Sequence, residues 1–237
     1  MKRIHLNQVD STNLYLERNA RGLPEVCAVR ADFQSAGMGR LSRKWESGRG
    51  GLWFSLLFKQ PFLEPHQMQR LCSLSVLSVL ERAVDEEGFG LKWPNDIYYK
   101  TRKISGCLQK NLFQSNRISC IIGTGININN QISPELINKA ITLKQIGGRI
   151  FDIKDIFNKI ICEIEERLTD SSVGRMREEY RLKALIKPGS LVQVCEILND
   201  KLFQGKVLNY PEQSIQLMTN EGQIKEFKAA DVTFKAW

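Results

Sequence analysis

Between His66 and Glu87 the chain reads HQMQRLCSLSVLSVLERAVDEE. Its apolar side chains at Leu71, Leu74, Val76, Leu77, Leu80, Ala83 and Val84 recur at the spacing of a helix with one face in a core. Gly88 is expected to stop it. A second helical pattern, IKDIFNKIICEIEERL, places Ile153, Ile156, Phe157, Ile160, Ile161, Ile164 and Leu168 on one side, within a mostly helical stretch spanning 134–184. A short helix is expected in VDSTNLYLERNA, opened by Asp10, Ser11 or Thr12 as its polar cap. The strand patterns are VCAVRADF, GGLWFSLLF, then DIYYK and KISGCLQK joined at Thr101–Arg102, and RISCIIGTGININN. Pro94 and Asn95 mark a turn before them. Strands in hairpin order predict an antiparallel or mixed sheet.

The pattern changes at Lys187–Pro188–Gly189. LVQVCEI, LFQGKVL, SIQLM, IKEFK and VTF follow, separated by turn signals at Asn199–Asp200, Pro211 and Glu221–Gly222. Short strands at this spacing predict a small β-barrel. The expected organisation is a catalytic-sized domain over 1–186 and a β-barrel domain over 187–237, in an α+β chain with helices packed on the first sheet.

Composition narrows the functions. The chain has 237 residues, 42% of them hydrophobic, so a sizeable core is available. The formal charge of +8 favours an anionic partner without choosing among nucleic acid, acidic protein and nucleotide. Six cysteines without a C-x-x-C pair, and only two histidines, speak against a zinc site and for buried thiols in a reducing compartment. No secretory leader or membrane-length apolar run is read, so the expected location is cytoplasmic.

Four polar stretches stand out. DSTN (Asp10–Asn13) gathers small donors and acceptors at a helix start, a helix cap or the seat of a polar ligand head. Leu14 and Tyr15 leave Ser11 and Thr12 without a reciprocal capping box, so their hydroxyls have capacity to spare. QSAGMGRLSRKW (Gln34–Trp45) combines two glycines, three cations and a tryptophan, a loop for an anion with an apolar neighbour. It is neither a Walker loop nor a complete G-x-G-x-x-G. KWPNDIYYKTRKISG (Lys92–Gly106) sets Asp96 among Lys92, Arg102 and Lys103, where it either pairs with a cation or holds a metal ion that bridges phosphates. GTGIN (Gly123–Asn127) ends a strand in glycines that admit a ring or a phosphate.

The order DSTN, Q-x-A-G-x-G-R-x-x-R-x-W, GGLWFSLL, KWPNDI…RKISG and GTGIN resembles the biotin–protein ligases over nearly the whole chain. The resemblance implies a class II synthetase-like catalytic domain followed by an SH3-like barrel. It also implies an ATP-dependent reaction: biotin is activated as biotinyl-5'-AMP and passed to a lysine of a biotin carboxyl carrier domain of a carboxylase. ATP and Mg2+ are the implied requirements, with no permanently bound cofactor. Nine residues precede DSTN, which suits the short type without a DNA-binding domain, so no DNA partner and no membrane partner are expected. The family contains monomers and homodimers.

By motif position, the resemblance places Ser11, Thr12, Asn13 and Gln34 at the biotin head, with Gly39, Arg40, Trp45, Lys103 and Gly106 completing the biotin site. Arg40, Arg43, Lys92, Asn95, Asp96, Lys103 and Asn127 are implied for ATP, with Asp96 as the Mg2+ ligand and Asn127 toward the adenine. Arg40 and Lys103 are the implied catalytic cations. Met38 stands where the family loop has an arginine, Ser42 where it has a glycine, and Lys110 where many members have a glutamate. A lipoate or octanoate ligase or transferase of the same fold is the alternative reading. A nucleic-acid-binding module is a further one, disfavoured by scattered basic residues and few barrel aromatics.

Overall fold

The computed structural model describes residues 1–114, 117–170, 172–211, 214–228 and 232–236. They form two compact units, Met1–Leu91 with Asn95–Tyr180, and Lys92–Pro94 with Arg181–Trp237. The second begins a little before the boundary expected at 187 and takes in the Trp93–Pro94 turn.

The first unit is built on a mixed sheet of seven strands: β1 (Lys2–Leu6), β2 (Val26–Ala31), β3 (Leu52–Lys59), β4 (Phe89–Lys92), β5 (Asp96–Tyr99), β6 (Arg102–Gln114) and β7 (Arg117–Ile126). Their spatial order is β1-β2-β3-β7-β6-β5-β4. β1 runs parallel to β2, whereas β2–β3, β3–β7, β7–β6 and β6–β5 are antiparallel. β1 and β4 were not anticipated. KRIHL lies at the sheet edge with mostly exposed side chains, and FGLK is too short to show a period.

Helices α1 (Thr12–Asn19), α2 (Pro65–Ala83), α3 (Leu143–Gly147), α4 (Ile153–Thr169) and α5 (Val173–Lys183) complete the described elements as far as Lys183, apart from short 3-10 turns. The main core lies between one sheet face and α2, α4 and α5, with Phe54 edge-on to Phe157 at 5.5 Å. A smaller core on the other face packs Leu16 of α1 against Cys27, Val29, Leu57 and Ile121. Gly88 does not end α2. The helix stops at Ala83, where the buried Val84 turns extended, and Gly88 instead takes a φ of +118° and accepts the Lys100 N–H.

The second unit carries a five-stranded antiparallel sheet, ordered β11-β10-β9-β8-β12, from β8 (Leu191–Glu196), β9 (Leu202–Asn209), β10 (Ser214–Thr219), β11 (Ile224–Lys228) and β12 (Val232–Ala236). Its core gathers Trp93, Val194, Val207, Ile215, Leu217 and Phe227. Among the described residues no helix is long and apolar enough to cross a membrane.

Candidate active site

Strand parity lays the floor of the site. In β3, Leu52, Phe54, Leu56 and Phe58 join the main core, so Ser55 and Leu57 face the α1 side. In β7, Cys120, Ile122 and Ile126 join the main core and Ile121 the α1 side, which puts Gly123 and Gly125 on that side too. The glycines leave room above the sheet. A Cβ on Gly123 would come within 2.3 Å of the Asn13 amide, and one on Gly125 within 2.4 Å of Trp45 Nε1.

Local backbone pairing delivers DSTN to this floor. Val9 and Asp10 zip along the start of the glycine loop, through Val9 N to Phe33 O, Ser35 N to Val9 O and Ala36 N to Asp10 O. The Thr12 amide and hydroxyl then reach Gln34 Oε1 at 2.8 and 3.0 Å. Thr12 Oγ1 also lies 2.6 Å from Ser55 Oγ, and Ser55 Oγ 2.6 Å from Asn13 Oδ1. Gln34 Nε2 donates to Ser47 Oγ, which donates to the Trp45 carbonyl. Ser11 occupies the N-cap of α1 without a side-chain cap bond, and its own amide donates to Asp10. Ser11, Thr12 and Asn13 are all buried, so their polar groups are held in fixed directions at low dielectric.

The cationic end is aimed by a β-bulge. Ile97 pairs with Ser105 and Tyr98 with Lys103, so the ladder skips Ile104. A bulge shifts the side-chain alternation by one, and here it sets Lys103 on the face of Gly106 and Asp96. Lys103 Nζ lies 2.7 Å from Asp96 Oδ1 and 5.0 Å over the Trp45 ring. A Cβ on Gly106 would sit 3.1 Å from both Lys103 Nζ and Asp96 Oδ1. The Lys103 backbone is itself bonded on its other edge to Lys139 and Ile141.

The glycine loop closes on itself. Gly39 N donates to Arg43 O, and Trp45 N to Gly37 O. Leu41 and Ser42 both adopt left-handed backbone, at φ of 57° and 56°. Burial lowers the Arg40 pKa below its ordinary value, while the nearby Asp96 carboxylate opposes that shift. Arg40 and Asp96 are thus electrostatic neighbours, and Arg43 adds like charge to Arg40 from an exposed position. Met38 pairs its backbone with Lys44 and leaves its side chain exposed. The Trp45 indole N–H is buried without an acceptor among the described residues.

The remaining expected residues are placed as follows. Asn95 is buried, and its amide donates to the Cys107 carbonyl. Asn127 is buried and accepts from Asn130 Nδ2 at 3.1 Å. Lys92 belongs to the second unit, where its ammonium stands 5.9 Å over the Phe234 ring. Lys110 pairs with Glu17 of α1 at 2.6 Å, which gives the lysine at that position a partner. No group of three or more His, Cys, Asp or Glu side chains among the described residues is arranged to hold a metal.

Residues 6–127 match the model of the biotin/lipoate A/B protein ligase family, more than half of the chain. The chain belongs to this family. It is 33% identical over 223 residues to the bifunctional ligase/repressor BirA of Bacillus subtilis, covering 88% of this chain and 66% of that protein. It therefore spans just under two thirds of the length of that relative. The corresponding protein of Escherichia coli K12 is 31% identical over 238 residues, covering 96% of this chain and 72% of that one. Among solved structures, a biotin protein ligase from Aquifex aeolicus in complex with biotin and ATP superposes with a TM-score of 0.84. It is 32% identical, with 100% of this chain and 99% of that one covered.

Two residues of this hydrogen-bond network were not among the site residues expected from the sequence, Ser47 and Ser55. Ser55 had a signal. It is the one polar residue in LWFSLLF, and a hydroxyl in the middle of a buried strand needs a partner. Ser47 had none, since a serine beside Glu46 and Gly48 reads as an ordinary loop residue.

Proposed function

We propose that the chain is an ATP-dependent biotin–protein ligase. It joins biotin to AMP and then transfers the biotinyl group to a lysine of a biotin carboxyl carrier domain. The observation that carries this reading is the placement of Lys103 against both Asp96 and Trp45, across a glycine floor from a buried amide and hydroxyl network. Such a pocket fits a small acid with a polar head, an apolar middle and a carboxylate.

In the first step a carboxylate oxygen attacks the α-phosphorus of ATP. The phosphorus–oxygen bond to pyrophosphate breaks, and the acyl-adenylate forms. Two anions must approach, so preorganised cations dominate the catalysis. Lys103 stands ready for the carboxylate and α-phosphate, its direction held by the bulge and by the ion pair with Asp96. Arg40 is the second cation, close enough to Asp96 to share its field. The Trp45 ring covers the apolar chain, and its indole N–H is free to donate to the adenylate. In the second step the carrier lysine amine attacks the acyl carbon. The bond to AMP breaks and the surplus proton leaves to solvent. No protein nucleophile is needed.

Ser11, Thr12, Asn13 and Gln34 take the head of biotin, with Gly39 and Gly106 leaving room for the acid. Arg43, Asn95 and Asn127 are assigned to the nucleotide. A single carboxylate at Asp96 suits a Mg2+ ion that arrives with the triphosphate and keeps most of its water, rather than a resident ion. Asp96 would hold it, and its contribution would be to neutralise phosphate charge. Every residue named comes from one chain, so a monomer and a homodimer satisfy the chemistry equally. The cytoplasm is the matching compartment, in keeping with six free cysteines, of which only Cys162 is exposed.

Pyrophosphate release from ATP and Mg2+ tests this reading, with biotin, lipoate or octanoate as the only acid and no carrier present. Release with biotin is expected. Release with lipoate or octanoate alone would move the substrate, and no release with any acid would end the proposal.

A further inference from the structure

The head network poses a counting problem. Thr12 Oγ1 touches Gln34 Oε1 at 3.0 Å and Ser55 Oγ at 2.6 Å, and Ser55 Oγ touches Asn13 Oδ1 at 2.6 Å. Those are contacts between oxygens, three in a row, and each needs a hydrogen. The Thr12 and Ser55 hydroxyls carry one each, and the amide oxygens carry none. One contact therefore lacks a proton. Thr12 and Asn13 are buried, Ser55 completely, and Gln34 is half-buried, so a proton-less oxygen pair at the Ser55 end would be costly.

The Gln34 end is fixed. Its Oε1 accepts from the Thr12 backbone N–H at 2.8 Å, and its Nε2 donates to Ser47 Oγ at 2.9 Å. Turning that amide over would set its NH2 against the Thr12 N–H and take the Ser47 hydroxyl proton away from the Trp45 carbonyl. The Asn13 end is not fixed in this way, because the oxygen and nitrogen of an amide exchange places by a half-turn. With Asn13 turned, its Nδ2 donates to Ser55, Ser55 donates to Thr12, and Thr12 donates to Gln34 Oε1. Gln34 Nε2 then donates to Ser47, and Ser47 to the Trp45 carbonyl. Every contact has one hydrogen and the relay runs in one direction.

We propose that Ser55 is a positioning residue for the head of the acid, and that Asn13 presents its amide N–H to Ser55. The relay orients the Thr12 hydroxyl with one lone pair left over, and it frees the Asn13 carbonyl from Ser55. Both are acceptors, which suits the N–H donors of a cyclic urea and offers nothing to a dithiolane. Ser55 thereby helps to choose biotin over lipoate without touching either. This rests on the biotin reading of the same pocket.

The experiment is calorimetric titration of the parent, Ser55→Ala and Asn13→Asp with biotin and, separately, with ATP. Ser55→Ala is expected to raise the biotin Kd about tenfold, as for loss of a buried hydrogen bond. The ATP Kd should not move. Equal weakening of both ligands, or an unchanged biotin Kd, would overturn the positioning role. Asn13→Asp accepts as Asn13 Oδ1 would but has no N–H, so it should weaken biotin at least as much. Biotin bound as tightly by Asn13→Asp as by the parent would overturn the direction of the relay. A ligand-free readout stands apart from the biotin reading and from any misfolded variant. In the 15N-labelled parent, the Asn13 side-chain NH2 should show one hydrogen-bonded, exchange-protected proton. An Asn13 NH2 group exchanging at the free rate would sink the relay even if biotin binds, whereas a parent that ignores biotin while keeping the protected proton would sink only the biotin reading.

Discussion

The Lys103 ammonium lies 2.7 Å from Asp96 Oδ1, on neighbouring strands that a bulge has brought into phase. Both side chains are partly exposed, so the pair is a modest source of stability and better understood as a means of aiming a cation. Lys103→Ala should therefore leave the fold in place, and biotin should still bind through its head, weakened by the loss of the carboxylate contact. Pyrophosphate release should fall by at least about 100-fold, the usual cost of losing a preorganised charge contact in a transition state. A Lys103→Ala enzyme that releases pyrophosphate at the parental rate would remove Lys103 from the chemistry.

Arg40 sits in the loop that pairs Gly39 with Arg43 and Gly37 with Trp45. Its removal takes away a cation near Asp96. Arg40→Gly is expected to make the adenylate and lose it, labelling bystander lysines with biotin. Blotting a mixture of unrelated proteins for biotin reads this directly. Labelling as selective as the parent's would mean that Arg40 does not retain the intermediate.

Gly125 lies under the Trp45 indole. A methyl group there would stand 2.4 Å from Nε1, so the indole must move or the strand must shift. Gly125→Ala should cost roughly 1–3 kcal/mol of stability if the ring stays, and adenylation if it leaves. Thermal unfolding and pyrophosphate release, measured together, separate the two. A variant unchanged in both would show that Trp45 is not held where this floor requires.

Ser42 holds a left-handed conformation, φ of 56°, directly after Leu41 at 57°. The family motif has glycine at this position, where the conformation is free of the Cβ clash. Ser42→Gly should stabilise the closed loop by about 1 kcal/mol. Urea unfolding and protection of Arg43–Trp45 from trypsin would both register the gain, and a faster trypsin cut would contradict it.

Asp10 chelates Arg18 through both carboxylate oxygens, at 2.6 and 2.9 Å, and accepts the Ser11 amide. The Arg18 bond chiefly lowers its pKa from 3.8 to about 2. A depressed carboxylate stabilises fully above its unfolded value and loses that contribution as pH falls through the folded one. Stability should thus decline between about pH 4 and pH 2 partly because of this group. The effect is small, since the pair is solvent-screened. Acid unfolding of Asp10→Asn should show a shallower decline over that window, and an identical slope would assign the decline to other carboxylates.

The sequence by itself determined the large pieces. Helical spacing from Leu71 to Leu80 and from Ile153 to Leu168 needs only a single buried face, and both helices are present. Period-two parity in LWFSLLF sets Ser55 apart from Phe54 and Leu56, and in SCIIGTGI it sets Gly123 and Gly125 apart from Ile122 and Ile126, but only the register of Ser55 on Gly123 puts the three on one side of the sheet. The cluster of motifs likewise announced the family. What only the tertiary structure decided is which of these groups meet. Thr12, Gln34, Ser47 and Ser55 are brought together by the zipper of Val9–Asp10 along Phe33–Ala36 and by β3 passing beneath α1. Those are long-range pairings with no trace in local pattern. The bulge at Ile104 was equally invisible. A strict alternation through KISG would have put Lys103 and Gly106 on opposite faces, and one skipped residue, fixed by how β5 registers on β6, turns the lysine onto Asp96 and Trp45 instead.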